Sequence, residues 1–378
     1  MADIRPSRIS ALAPNRLGPR DYTDPAILTA ERDRIFRSHW HFVGLDRDVA
    51  EPESWFLAEV AGTEIIIQRV AGDELRAFIN VCPHRFNALV NTPHGVGRLR
   101  CGYHLWSFDT EGVPAQVPLR AGIELEACQT AALSLRRWSV ERCGDLIFVA
   151  AQPDRLLTAF LGTLAADMAM LSQGLGAEVL RFSQEIAANW KVILQNTVEF
   201  DHAFGVHPDT FAAMVERPLQ IVSHDAVAPH IAYHTLMKPR EGLKPIERRI
   251  EDIFARSVIA QAEGYTHATL FPSSTMGTTA NRIFALIRYQ PLSPDRTRAE
   301  YRLFISQITG LTAVEQAILD RVVPADVAFT ERLLEEDRQI CESVQRGMTN
   351  APADLTGTLM PGEHLVALFQ QYWLDAMR

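Results

Sequence analysis

The chain has almost no lysine. Lys191, Lys238 and Lys244 are the only three, and arginine supplies the rest of its 37 basic residues. That bias is read as genome composition and carries no functional weight. Long apolar runs are also missing: the best uncharged stretch, Leu156 to Ala166, stops at Asp167, too short to cross a bilayer. The opening MADIRPSRIS has no apolar core behind its charges, so no secretory signal is expected and a cytoplasmic location is. A net charge of -9 argues against a nucleic-acid or anionic-membrane surface. Five cysteines is an odd number, and without an export signal a disulfide framework is not expected. No internal repeat, low-complexity tract or glycine-rich dinucleotide loop is present. What remains is an ordinary globular composition in 378 residues, enough for two domains or one large one.

The texture along the chain changes twice. Asp24 caps and Pro25 opens a helix whose Ile27, Leu28, Ile35 and Phe36 keep a helical period. From about Trp40, short β-like runs follow, such as Thr63 to Arg69, Leu75 to Val81 and Asp145 to Ala150. A helix is expected over Leu156 to Leu171, a strand over 177–188, and a helix from about Trp190. Strand-like runs come at 227–238, 266–276, 281–290 and 298–307, the last two joined by a turn at SPDRT, 293–297. Two helices are expected to flank Pro324 and run to about Met348. A last helix places Leu365, Leu368, Phe369, Tyr372 and Met377 on one core face. The fold class is α+β: residues 1–38 a helical segment, 39–153 an all-β domain, and 154–378 a second domain with a mostly antiparallel sheet, against which the first segment packs.

Two clusters carry chemistry. Cys82-Pro83-His84 and Cys101-Gly102-Tyr103-His104 each give one thiolate and one imidazole from a loop, with sixteen residues between His84 and Cys101. Two Cys and two His suit a tetrahedral zinc site, though Cys-x-His is tighter than usual zinc spacing. They also suit a Rieske [2Fe–2S] cluster, in which two histidines replace two cysteines on one iron. His94, between the halves, reads as a surface-loop residue.

The second cluster is NWKVILQNTVEFDHAFGVH, 189–207. Asn196, Glu199 and His202 share one face if the segment is helical. His207 is off that face, but Gly205 permits a break and Pro208 disfavours helix at His207. Two histidines and one carboxylate with open positions form the facial triad of non-heme Fe(II) oxygenases. Two histidines near a helix end also serve purely structural roles.

Together the two clusters resemble those of Rieske non-heme iron oxygenases, the ring-hydroxylating oxygenase catalytic (alpha) subunits. AFINVCPHR and CGYHLWSFDTEG look like the paired cluster loops, and NWK with Asn196, Glu199, His202 and His207 looks like the iron motif. The resemblance covers nearly the whole chain and implies a Rieske domain followed by a helix-grip catalytic domain. It implies that Cys82 and Cys101 hold one cluster iron and His84 and His104 the other. It implies mononuclear iron on His202 and His207, with a distant carboxylate as third ligand. LLEEDRQICESVQRG, 333–347, puts Asp337 at that position and Glu336 one residue off. Glu199 takes the place of the acid that joins the two metal centres, with Asp201 as the alternative. Glutamate there looks more like the choline, carnitine and betaine oxygenases than the naphthalene type.

The implied activity is monooxygenation, hydroxylation or oxidative demethylation of a small substrate such as a quaternary amine, for which Phe200, Phe204, Tyr265 and Phe271 are candidate contacts. Ring hydroxylation or dioxygenation of an aromatic acid is the alternative. A Rieske electron-transfer or ligand-binding protein without catalysis is the alternative of another class. The implied partners are O2, a separate NAD(P)H-dependent reductase or ferredoxin, and two further copies in a homotrimer, with no nucleic acid or membrane.

Overall fold

The protein is described by a computed structural model covering residues 12–118, 126–216, 221–239, 242–259, 264–352 and 354–378. The chain forms two compact units. One is Phe36–Phe160. The other joins the segment up to Ile35 with Leu161–Arg378. No helix among the described residues is long and apolar enough to cross a membrane.

The Phe36–Phe160 unit is a seven-stranded antiparallel sheet. Its strands are β1 (His41–Leu45), β2 (Ser54–Val60), β3 (Thr63–Arg69), β4 (Leu75–Ile79), β5 (His94–Val96), β6 (Arg137–Cys143) and β7 (Leu146–Ala150), in the order β1-β7-β6-β4-β3-β2-β5. Ala61 and Gly62, both at positive φ (48° and 87°), make the tight turn that joins β2 to β3. Alternate residues of β3 feed two cores. Ile65 and Ile67 pack with Val43, Phe56 and Val149, while Ile66 packs with Phe78, Trp55, Cys82 and Cys101. The second core therefore lies directly beneath the cysteine loops. His94, expected in a loop, lies in β5 but is exposed there.

The second unit holds another seven-stranded antiparallel sheet: β8 (Leu175–Ile186), β9 (Ile221–Val227), β10 (His230–Thr235), β11 (Tyr265–Leu270), β12 (Ser274–Thr279), β13 (Ile283–Ser293) and β14 (Arg296–Ser306). The order is β8-β14-β13-β12-β11-β10-β9. The run 266–276 is not one strand. Pro272 cannot donate to a ladder, and the chain turns at Phe271–Ser273 to form the β11–β12 hairpin. The 293–297 turn is present, Ser293 pairing with Arg296.

The helices of this unit position its chemistry. α1 (Pro25–Glu31) starts as expected, with the Asp24 carboxylate accepting from Ala26 N–H at 2.8 Å. The helix expected over Leu156–Leu171 is broken at Gly162 (φ 56°) into Leu157–Leu161, which ends the Phe36–Phe160 unit, and Leu164–Gln173. α2 (Trp190–Thr197) and α3 (Ala203–Val206) carry the second cluster. The two helices expected around Pro324 are a single helix, α4 (Ala313–Asn350), capped by Thr312 and Glu315 and packed on α2 and β8. Pro324 is held inside it by neighbours: Leu319 and Val323 are buried against Ile253, Phe254 and Ile305. α5 (His364–Ala376) buries Leu365 and Phe369 as expected, but Val366 and Trp373 complete its face; Leu368 and Tyr372 are only half-buried.

Candidate metal centres

The first centre lies in the Phe36–Phe160 unit, and its two loops are built alike. In each, the cysteine N–H donates to the carbonyl five residues on, Cys82 to Asn87 and Cys101 to Trp106, both at 2.8 Å. The residue four on donates back to the cysteine carbonyl, Phe86 at 2.9 Å and Leu105 at 3.0 Å. Phe86 and Leu105 both lie in the left-handed region, φ 61° and 60°. Bulky side chains avoid that region unless their surroundings impose it.

The loops so shaped bring the Cys82 and Cys101 thiols within hydrogen-bonding distance of each other. Backbone N–H groups of His84 and Arg85 point at the Cys82 sulfur, and those of Tyr103 and His104 at Cys101. Such donors stabilise thiolates and tune a bound cluster. The His84 and His104 rings are 4.6 Å apart, and His84 stacks flat on Trp106 at 4.8 Å. Among the described residues, nothing hydrogen-bonds to the buried Nδ1 of His104. Orphaned buried nitrogens are rare in proteins. Here one sits beside a second imidazole and two thiols, which is the donor set a Rieske cluster needs.

The second centre departs from the single helix face expected for it. α2 ends at Thr197, whose carbonyl accepts from Tyr233 Oη at 3.1 Å instead of from a helical N–H, while Thr197 Oγ1 turns back on Leu194 O at 2.8 Å. Asn196 is therefore on α2, Glu199 in the following turn, His202 at the start of α3 and His207 at its end. Gly205 is not the break. It lies within α3, and the chain leaves the helix at His207 (φ -116°, ψ 44°), before Pro208.

The turn folds His202 and His207 together, with ring centroids 5.3 Å apart, and α4 brings Asp337 to them. Asp337 Oδ1 is 3.0 Å from His207 Nε2 and 3.5 Å from His202 Nε2, and it accepts from Asn196 Nδ2 at 2.7 Å. One donor atom from each of His202, His207 and Asp337 lies within 4.8 Å of the other two. The opposite ring nitrogens face two other acids. Glu199 Oε1 is 2.5 Å from His202 Nδ1, and Glu336 Oε2 is 2.8 Å from His207 Nδ1. Glu336, the alternative third ligand, thus approaches His207 from the side away from Asp337. Asp201, the alternative to Glu199, is exposed and lies beside Gly362.

Charge follows this geometry. Burial works against protonation of His202, but hydrogen bonds to Asp337 and Glu199 outweigh it and lift the imidazole to about 10. Burial likewise opposes charge on His207, and Asp337 and Glu336 overcome it. Asp337 is half-buried, which works against its charge, yet the two histidines hold it well below the ordinary carboxylate range. Imidazoles that keep protons against carboxylates mark a place where a metal cation can take the protons' role. The two-His, one-carboxylate set fits mononuclear non-heme iron.

Aromatic rings stand close by. Phe200 meets Tyr233 edge-on at 4.3 Å, and Tyr233 stacks on His267 at 5.0 Å. Tyr265 meets Phe211 at 5.5 Å and Oη lies 3.1 Å from His267 Nδ1. A side chain at Gly277 would collide with that phenol: a Cβ would come within 2.8 Å of Oη. The charge of Asp337 reaches Tyr233, Tyr265 and His267. Phe204 and Tyr265 both pack against the cluster of Ala203, Phe211 and Val215. Phe271 does not belong here; it is core, edge-on to Trp190 and Phe369 at about 6 Å. Tyr233 and His267 escaped the sequence reading, since nothing in their strands distinguishes a site-facing aromatic from a core one.

Residues 176–378, more than half the chain, match the family of ring hydroxylating alpha subunit catalytic domains, and residues 39–129 match the Rieske [2Fe-2S] domain. The chain belongs to the ring-hydroxylating alpha-subunit family. This alpha subunit is an oxidoreductase with a Rieske [2Fe–2S] cluster and mononuclear non-heme iron as cofactors. The match to a catalytic domain sets aside an electron carrier without catalysis.

It is similar to the carnitine monooxygenase oxygenase subunit of Acinetobacter baumannii, 25% identical over 366 residues, spanning 92% of this chain and 91% of that protein. The glycine betaine monooxygenase oxygenase subunit of Chromohalobacter salexigens is 30% identical over 201 residues, 52% of this chain and 44% of that one. Among solved structures, a quaternary ammonium Rieske monooxygenase superposes with a TM-score of 0.79 at 22% identity, covering 97% of this chain and 96% of its own. Naphthalene 1,2-dioxygenase from Rhodococcus sp. gives 0.72 at 19%, covering 96% and 94%. At these identities the likeness is one of fold.

Proposed function

We propose that this alpha subunit monooxygenates a small quaternary ammonium compound, by hydroxylation or oxidative demethylation. The aromatic wall of Phe200, Tyr233 and Tyr265 beside the Asp337 carboxylate carries the reading. A cation over a desolvated aromatic face gains about 0.5–2 kcal/mol, and His267, pushed by burial to about 3, adds no opposing charge. The relatives named for carnitine and glycine betaine support the same substrate class. A second reading, ring hydroxylation or dioxygenation of an aromatic acid, draws on the fold shared with naphthalene dioxygenase.

In this proposal residues 39–153 house the cluster and 154–378 the iron. Cys82 and Cys101 would hold one cluster iron as thiolates, and His84 and His104 the other as neutral imidazoles. His202, His207 and Asp337 would hold the mononuclear iron. When bound, the cluster supplies one-electron storage and the iron supplies O2 activation beside the substrate.

Glu199 accepts from His202 Nδ1 and from His202 N–H at 3.2 Å, which fixes the ring. A carboxylate has further lone pairs. In a homotrimer these would receive His84 or His104 of the neighbouring copy, so Glu199 would join the two centres through His202. The solved relative described for inter-subunit electron transfer supports that arrangement. A separate NAD(P)H-dependent reductase or ferredoxin would deliver the electrons, in keeping with a cytoplasmic setting.

The test combines metal analysis with O2 uptake. Iron is expected at about three atoms per chain, with a Rieske EPR signal on reduction. Asp337→Ala is expected to lose one of those atoms and keep the signal. O2 uptake with a generic reductase is expected to depend on quaternary amines. Uptake with aromatic acids alone would favour the second reading, and a colourless protein holding one zinc would overturn both.

A further inference from the structure

The geometry points to Glu336 as a positioning residue that sets the orientation and tautomer of His207. This rests on the proposed ligand set, and it assigns a role to a side chain outside that set. His207 is almost wholly buried, at 2% exposure, so water cannot serve its outer nitrogen. The nitrogen that faces away from Asp337 is Nδ1, and its partner is Glu336 Oε2 at 2.8 Å. A neutral imidazole has one N–H. With a carboxylate at Nδ1, that hydrogen is fixed there, and the Nε2 lone pair is turned toward Asp337 and His202.

Glu336 is itself held on both oxygens. Thr210 Oγ1 donates to Oε2 at 2.6 Å, and Arg332 Nε donates to Oε1 at 3.0 Å from one turn earlier on α4. Arg332 also lies 3.5 Å from Asp209. The clamp is therefore local to two pieces of chain: Thr210 and Asp209 just past His207, and Arg332 and Glu336 just before Asp337. Successive residues of α4 point about 100° apart. That spacing lets Asp337 reach the Nε2 face of His207 while Glu336 reaches its Nδ1 face, so one turn of helix grips the ring from both sides.

His202 is held in the same manner by Glu199. The two clamps differ in what surrounds them. The Glu199 carboxylate accepts from the backbone N–H and the ring of His202, whereas Glu336 is also tied to an arginine and a threonine of its own chain. Glu336 thus acts as a fixed strut, and its removal frees His207 to rotate about its side-chain torsions.

The test is made on the cluster-loaded protein, with Fe(II) alone as the titrant after the mononuclear site is emptied by chelation. Glu336→Ala is expected to weaken Fe(II) binding by about 10–100-fold. The cluster absorbance and the unfolding midpoint are expected to stay at wild-type values. The EPR signal of the Fe(II)–nitric oxide adduct is expected to broaden as the ring loses its fixed orientation. Glu336→Gln keeps an acceptor for Nδ1–H and is expected to recover most of the affinity. Glu336→Asp withdraws the carboxylate by one methylene, keeps the charge, and is expected to behave like alanine; it carries the test if the alanine variant does not fold. Wild-type affinity and an unchanged adduct spectrum in the aspartate or alanine variant would overturn the assignment. Wild-type affinity in His207→Ala would instead overturn the ligand set on which it rests.

Discussion

Single residues were legible where their chemistry is contiguous. Cys82 and His84, or Cys101 and His104, lie two or three positions apart, so sequence alone puts each pair in one loop. Asp337 needed the family resemblance, because nothing local separates it from Glu335 or Glu336. The wall of Tyr233 and His267 was not legible at all, since it exists only once β10 pairs with β11. His267 carries a prediction at this scale. Burial pushes its imidazole down from 6.5 to about 3 while Tyr265 and Thr269 occupy its nitrogens. In the unfolded chain the ring protonates as pH falls through 6.5. The folded chain does not take that proton until about pH 3, so in this window the unfolded state binds more protons and stability falls with pH. The slope from this residue is at most about 1.4 kcal/mol per pH unit. Urea unfolding between about pH 7 and pH 5 is expected to show His267→Gln losing less stability on acidification than wild type. Parallel curves would mean that His267 is not the group being titrated.

Elements were legible where a local signal ends them and misread where a distant contact does. Asp24 and Pro25 start α1 without help from the rest of the chain. The end of α2 is set instead by Tyr233, thirty-six residues away, and the length of α4 by packing that overrides Pro324. An interior proline costs a helix about 3 kcal/mol, through a missing N–H and a clash with the carbonyl four residues back. The buried Leu319 and Val323, set against Ile253, Phe254 and Ile305, offset that cost. Pro324→Ala restores the donor, while the looser unfolded chain takes back up to about 1 kcal/mol. The variant is expected to be more stable by about 1–2 kcal/mol, read as a higher urea midpoint with an unchanged slope. A lower midpoint would show that a bend at Pro324 is needed to seat both halves of α4.

At the scale of the catalytic unit, the NWK segment gained a meaning the sequence did not carry. Lys191 is wholly buried and paired with an equally buried Glu31 at 2.5 Å, across 160 positions of chain. Glu31 also accepts from Trp190 Nε1 at 2.8 Å and from Trp373 Nε1 at 2.7 Å, so α1, α2 and α5 meet on one carboxylate. The ammonium lies between the rings of Tyr22, Trp190 and Trp373, each within about 5.4 Å. Burial pulls the Lys191 pKa down and Glu31 opposes it.

This knot is the point where the N-terminal helix is tied to the helix bearing Asn196, and its energetics are those of a desolvated pair. Removing one charge strands the other, at a cost of about 3–5 kcal/mol, whereas replacing both by apolar groups of similar volume is often neutral. Glu31→Leu and Lys191→Met are each expected to lose about 3–5 kcal/mol in urea unfolding and to release mononuclear iron more readily, because α2 loosens. Glu31→Leu combined with Lys191→Met is expected to recover most of that loss, leaving only the two indole N–H groups without an acceptor. The double-mutant cycle decides between pairing and packing. If the combined variant is as unstable as the sum of the single changes, the two residues act independently, and the segment is held by its aromatic contacts rather than by the buried charge.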